Sequence, residues 1–138
     1  MKPDFAGPEI ETAFAVSDPL AQEGLLRLRR LILDTVAETP EAGRVEEVLR
    51  WGQPSYITPD TKIGSTIRLG VPKAARFALF VHCQSQLIPE FAKVFPAWDR
   101  LEGTRAVLFD DPRQVEPLRH GWLVKRALIY KKRPPLDA

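Results

Sequence analysis

Residues 65–83, STIRLGVPKAARFALFVHC, hold two short runs with the period of a β-strand on either side of a glycine- and proline-bearing break. In the first, Ser65 to Leu69, Ile67 and Leu69 share one side while Thr66 and Arg68 share the other. In the second, Phe77, Leu79, Val81 and Cys83 alternate with Phe80 and His82. Successive strand side chains point to opposite faces, so each run has an apolar inward side and an outward side. The break at Gly70–Lys73 is short enough for a turn. Together they predict an antiparallel hairpin. Its outward face carries Thr66, Arg68, Phe80 and His82, and Gln84 continues the row. On this reading Cys83 looks inward as a small apolar filler, away from its neighbour His82, so the two cannot meet at one ion.

Outward from that hairpin the chain is punctuated by proline. Residues 1–8 read as an arm leading to a short helix over Glu9–Val16. Ser17-Asp18-Pro19 is a helix start, a capping oxygen followed by a proline in the first turn. The long helix after it sets Leu25, Leu28, Ile32 and Val36 on one stripe, and Thr39-Pro40 stops it. Between 44 and 51 the period is unclear, because Val48 interrupts the alternation of Val45, Leu49 and Trp51, and a short helical turn fits. Ser55–Ile57 reads as an edge strand after the Gly52/Pro54 bend. Leu87, Phe91 and Val94 stand at helical spacing, and residues 103–109 form the last strand. A closing helix over 114–131 has Leu118, Gly121, Val124 and Leu128 as its predicted buried stripe, with 132–138 as a tail. Clustered strands joined by short turns imply a meander rather than βαβ winding. The predicted class is α+β, an antiparallel sheet packed on one face by N-terminal and C-terminal helices.

With 138 residues, 44% hydrophobic and 28% charged, the chain has the make-up of one globular domain, which excludes wholesale disorder. A single cysteine excludes an intramolecular disulfide framework and a cysteine-based zinc site. No secretory apolar run and no stretch of spanning length is present, which reads as a cytoplasmic protein without a membrane partner. There is no glycine-rich phosphate loop and no serine-nucleophile elbow, so binding is expected rather than catalysis, and no cofactor is implied. Charge is uneven: ten carboxylates face six Lys/Arg in residues 1–50, against eight and fourteen in residues 51–138. Such a basic half steers anions.

The outward face supplies the candidate site: Arg68, His82 and Gln84 from the hairpin, Trp51 and Tyr56 from the preceding edge, and Arg105 from the last strand. Alternation equally admits Arg105 beside Val107 on the covered side. A guanidinium fork, an imidazole, an amide and aromatic walls are the parts that hold a small carboxylate or phosphate. Two other readings stand beside this one, a solvated face with an Arg68–Glu102 pair, and a homodimer interface through the aromatics. Glu38, Glu41, Glu46 and Glu47 cluster near the end of the long helix as a weaker candidate for a hard cation, with Arg44 among them. Lys125, Arg126, Lys131, Lys132 and Arg133 could touch phosphates, but no reading module accompanies them and nucleic acid is not an expected partner. A Cys83–His120 dyad would require His120 to come across the fold.

Several segments carry a family likeness: Trp51-Gly52-Gln53-Pro54-Ser55-Tyr56, Thr66-Ile67-Arg68-Leu69, Phe80-Val81-His82-Cys83-Gln84, Glu102-Gly103-Thr104-Arg105-Ala106 and Ala127-Leu128-Ile129-Tyr130. In order and spacing, over roughly residues 17–131, they resemble the YdhG-like family of small bacterial domains of unknown function. The resemblance implies a compact α+β domain with its sheet packed by N- and C-terminal helices. Some members are described as frataxin-like iron chaperones. Here Arg27, Arg29 and Arg30 interrupt what that role would make an acidic helical ridge.

Overall fold

The computed structural model describes residues 4–132. In chain order it has α1 (Pro8–Phe14), α2 (Pro19–Ala37), β1 (Glu46–Arg50), β2 (Gln53–Ile57), β3 (Ile67–Gly70) and β4 (Phe77–Phe80). Then follow α3 (Leu87–Val94), β5 (Arg100–Glu102), β6 (Ala106–Phe109) and α4 (Pro117–Leu128). All strand pairs are antiparallel, in the order β1-β2-β3-β4-β6-β5. The first four form a meander, and β6 returns between β4 and the outer strand β5. The class is α+β, as expected. No helix among the described residues is long and apolar enough to cross a membrane. Residues 133–138, nearly all of the expected tail, and 1–3 of the expected arm lie outside the described residues.

Local chemistry explains the elements. Asp18 caps α2, its side chain accepting from Leu20 N–H at 3.1 Å, with Pro19 at the first helical position. The stripe Ala21, Leu25, Leu28 and Ile32 is buried against the sheet. Gly24 lies on the same stripe for a steric reason: a Cβ there would fall 2.2 Å from the Phe77 ring. Gly24→Ala is therefore expected to cost about 1–3 kcal/mol by overpacking, although alanine is the better helix former by about 1 kcal/mol. The midpoint of urea unfolding gives the sign. Phe77 pairs with Phe109 across β4 and β6, the rings stacked at 5.0 Å, and the core continues through Leu79, Val107 and Phe91 to α3 and α4.

Four expectations about the elements are corrected. Residues 46–50 are the edge strand β1 and not a helical turn. Of residues 103–109 only Ala106–Phe109 are strand, as β6; residues 103–105 belong to the tight turn, with Gly103 at φ 53°, that joins it to β5, a strand the sequence reading did not expect. Strand β4 ends at Phe80, where its partner β6 begins at Ala106, and residues 83–86 form a turn. Without a paired strand the alternation no longer holds, and Cys83 is exposed instead of inward. Finally, Leu118 is not in the buried stripe of α4 but 83% exposed. The stripe is rotated to His120, Leu123, Val124, Ala127 and Leu128, because His120 satisfies both ring nitrogens: Nδ1 accepts from Glu116 N–H at 2.8 Å and Nε2 donates to Asp99 at 2.9 Å. Leu118→Ala is expected to change stability by less than about 0.5 kcal/mol, in the same unfolding assay.

Candidate functional site

The helices cover one face of the sheet. On the open face, cross-strand register aligns Val48, Ser55, Arg68, Phe80 and Ala106 in one row. Phe80 is only 6% exposed because two arginines lie over it: the guanidinium carbon of Arg68 is 5.8 Å from its ring centre and that of Arg105 is 6.0 Å. Arg105 reaches this position from the β5–β6 turn, which resolves its side of the sheet in favour of the open face. The same turn fixes the end of β4 through Val81 N–H to Arg105 C=O, 2.8 Å.

Arg68 is half-buried. Its Nη1 donates to Gln53 Oε1 at 3.0 Å, and its guanidinium stacks 4.9 Å from the Trp51 ring centre. Among the described residues it forms no ion pair with a carboxylate. The alternative Arg68–Glu102 pair does not form: Glu102 binds Arg105, at 2.9 Å. Burial, and then the like charge of Arg105, pull the Arg68 guanidinium below its ordinary pKa, with Cys83 acting in the opposite direction. It remains charged, as arginine does. Two guanidinium groups lie over one ring, Arg68 partly stripped of water and without a carboxylate, Arg105 paired with Glu102, so the corner keeps a net positive charge.

That corner opens into a cleft of about 690 Å³ where the start of β3, the end of β4 and the C-terminal end of α4 meet. The last turn of α4 is tied there by Ser65 N–H to Ala127 C=O at 2.8 Å, and the segment after it by Lys131 N–H to Ile63 C=O at 2.7 Å. Of the six expected site residues, Trp51, Arg68, His82, Gln84 and Arg105 line this cleft. Gln84 donates its backbone N–H to His82 Nδ1 at 3.1 Å, which leaves the proton of the neutral imidazole on Nε2, a donor. Cys83 lines the same cleft, so His82 and Cys83 share a side rather than opposing one another.

Tyr56 is the sixth, and it does not belong. It is 1% exposed and faces the core opposite Ile67, with its hydroxyl donating to Glu47 at 2.6 Å. Arg50 and Lys131 line the cleft and were missed as members of this site. Lys131 drew notice only as part of a basic helix end. Arg50 is placed by the hairpin turn that also presents Trp51. That turn has two central residues, Trp51 and Gly52, with φ 52° and 74°. Positive φ at both is what a two-residue hairpin of this hand requires, and glycine or asparagine is the usual occupant. A bulky residue there costs about 1–2 kcal/mol of backbone strain, and Trp51 recovers none of it in the core, being 85% exposed.

The carboxylate candidates do not converge. Glu47 is consumed by a buried pair with Arg29, at 2.7 Å, and Glu46 by Arg44. Glu38 lines the separate groove between α2 and α4. Among the described residues, no group of three His, Cys, Asp or Glu side chains is arranged to hold a metal ion. His120 is fully buried with both nitrogens engaged, so it forms no dyad with the exposed Cys83. Comparison with protein-family models, with curated proteins and with solved structures finds no match to this chain.

Proposed function

We propose that this chain is a binding protein for a small anion, held in the cleft beside the open sheet face, and not an enzyme. The observation that carries the reading is the convergence of Arg68 and Arg105 over Phe80, with Arg50 and Lys131 lining the same cleft. An anion between the two guanidinium groups relieves their mutual repulsion and accepts charge-assisted hydrogen bonds from both. His82 Nε2–H and the Gln84 amide add directional contacts. A cytoplasmic location, where small phosphates and carboxylates are the ligands at hand, belongs to the same proposal. So does membership of the YdhG-like family, whose implied architecture agrees with the fold.

A thermal-unfolding series with phosphate, pyrophosphate, malonate and citrate tests the reading. A ligand present at ten times its Kd stabilises the folded state by about 1.4 kcal/mol, a rise of roughly 3–6 °C in a domain this size. The rise is expected to shrink as sodium chloride is added, because the cleft is open to solvent. No rise with any anion, or a rise of equal size in Arg68→Ala, would sink the proposal.

A further inference from the structure

We propose that the ligand of this cleft is a phosphorylated planar heterocycle of mononucleotide size, its ring stacked on Trp51 and its phosphate between Arg68 and Arg105; this rests on the anion-binding reading above. Three observations carry it. First, Trp51 occupies a turn position that disfavours it, belongs to neither buried apolar cluster, and lines the basic cleft as an 85% exposed residue. Backbone strain concentrates where a side chain is needed for something other than folding. Second, the indole and the anion-binding guanidinium are coupled: Arg68 stacks at 4.9 Å from the Trp51 ring centre and is held in place by Gln53. A ligand that lays a ring on the indole therefore brings its phosphate to Arg68. Third, the volume, about 690 Å³, lies in the range of pockets that enclose a small organic ligand, about 300–1,000 Å³.

Base stacking on an aromatic side chain is sequence-tolerant and contributes about 1–3 kcal/mol per base, comparable to one charge-assisted hydrogen bond. The surroundings favour a free nucleotide over a residue within a strand. Arg100, next along the open face, is committed to Asp110 at 2.6 Å, so among the described residues no track of unpaired arginines continues along that face beyond Arg105 to follow a backbone.

Titration of the full chain with adenosine monophosphate, ribose 5-phosphate, inorganic phosphate and a short oligoadenylate separates the contributions, with calorimetry as the readout. Adenosine monophosphate is expected to bind about tenfold or more tighter than ribose 5-phosphate. Trp51→Asn is expected to erase that advantage while the protein melts at the same or a higher temperature, since asparagine suits the turn. Trp51→Phe is expected to retain most of the advantage. The proposal is overturned if adenosine monophosphate binds no tighter than ribose 5-phosphate, or if its advantage survives Trp51→Asn. An oligoadenylate binding more than about tenfold tighter than the mononucleotide overturns the assignment to a free nucleotide. If phosphate and ribose 5-phosphate bind but the base adds nothing, only the stacking proposal fails. If no phosphate binds at all, the anion-binding reading fails and takes this one with it.

Discussion

Glu47→Ala is expected to remove about 3–5 kcal/mol of folding stability, the cost of leaving a buried charge without its partner. In a domain this size that is a fall of roughly 10–20 °C in Tm. The side chains of Arg29 and Glu47 are 5% and 7% exposed, and they meet through two hydrogen bonds, Nε to Oε2 at 2.7 Å and Nη2 to Oε1 at 3.0 Å. Tyr56 donates to the same carboxylate. Arg29 also donates to the Asp4 carbonyl at 2.9 Å and lies 4.3 Å from the Phe5 ring centre. One pair thus fastens α2, β1, β2 and the segment before α1. Replacing both partners with methionine is expected to cost much less than Glu47→Ala, because neither variant side chain then carries an unmatched charge. Additive losses in the double variant would contradict this.

The pair also sets an acid limit. Burial pushes the Glu47 carboxyl up, but hydrogen bonds from Arg29 and Tyr56 and the Arg29 charge outweigh it, and the net pKa is lowered from 4.5. Asp99 is likewise lowered from 3.8: burial raises it, while His120 and Arg119 bring it down. A carboxyl depressed in the folded state contributes stability that is complete above its unfolded value and lost as pH falls through the folded one. Urea midpoints are therefore expected to be insensitive to these two groups at pH 6 and above. Below about pH 4.5 they are expected to decline, with a shallower decline in Glu47→Gln.

Arg68→Ala is expected to weaken anion binding by about tenfold to a hundredfold, the range of a single charge-assisted hydrogen bond at about 1.5–3 kcal/mol. Arg68→Lys keeps the charge but loses the planar fork and the stack on Trp51, and is expected to fall between wild type and alanine. The fold is expected to survive both, since Arg68 is half-buried at the surface of the sheet and packs on Phe80 and Trp51 rather than in the core. Calorimetric titration with pyrophosphate, alongside thermal unfolding of each variant, separates loss of the site from loss of the protein.

Much of the architecture was legible because capping and alternation agree in α2, β3 and β4. In β1 and α4 the reading failed because a polar residue holds an inward position. In β1 the inward place opposite Tyr56 belongs to Glu47, and Val48 faces the open side opposite Ser55. The usual contrast between oily and polar faces is inverted there, and no local pattern announces that an arginine 18 residues earlier neutralises the carboxylate. His120 has the same effect on α4, displacing Leu118 to solvent. Tyr56 was misplaced for want of register: once Ser55 is set opposite Arg68, Tyr56 must lie opposite Ile67, on the core side. Five of the six candidate residues line one cleft because they depend on the outward phase of β3, on turns, or on the exposed strand end. Cys83 was lost because β4 stops three residues before it.

The most direct measurement is of the arginine side chains themselves. In 15N–1H spectra of the guanidinium Nε–H groups, added pyrophosphate is expected to move the Arg68 and Arg105 signals along one saturation curve and to leave Arg29 and Arg119 in place. Signals of Arg68 and Arg105 that stay fixed at saturating pyrophosphate, or shifts confined to arginines outside the cleft, would contradict the proposed site.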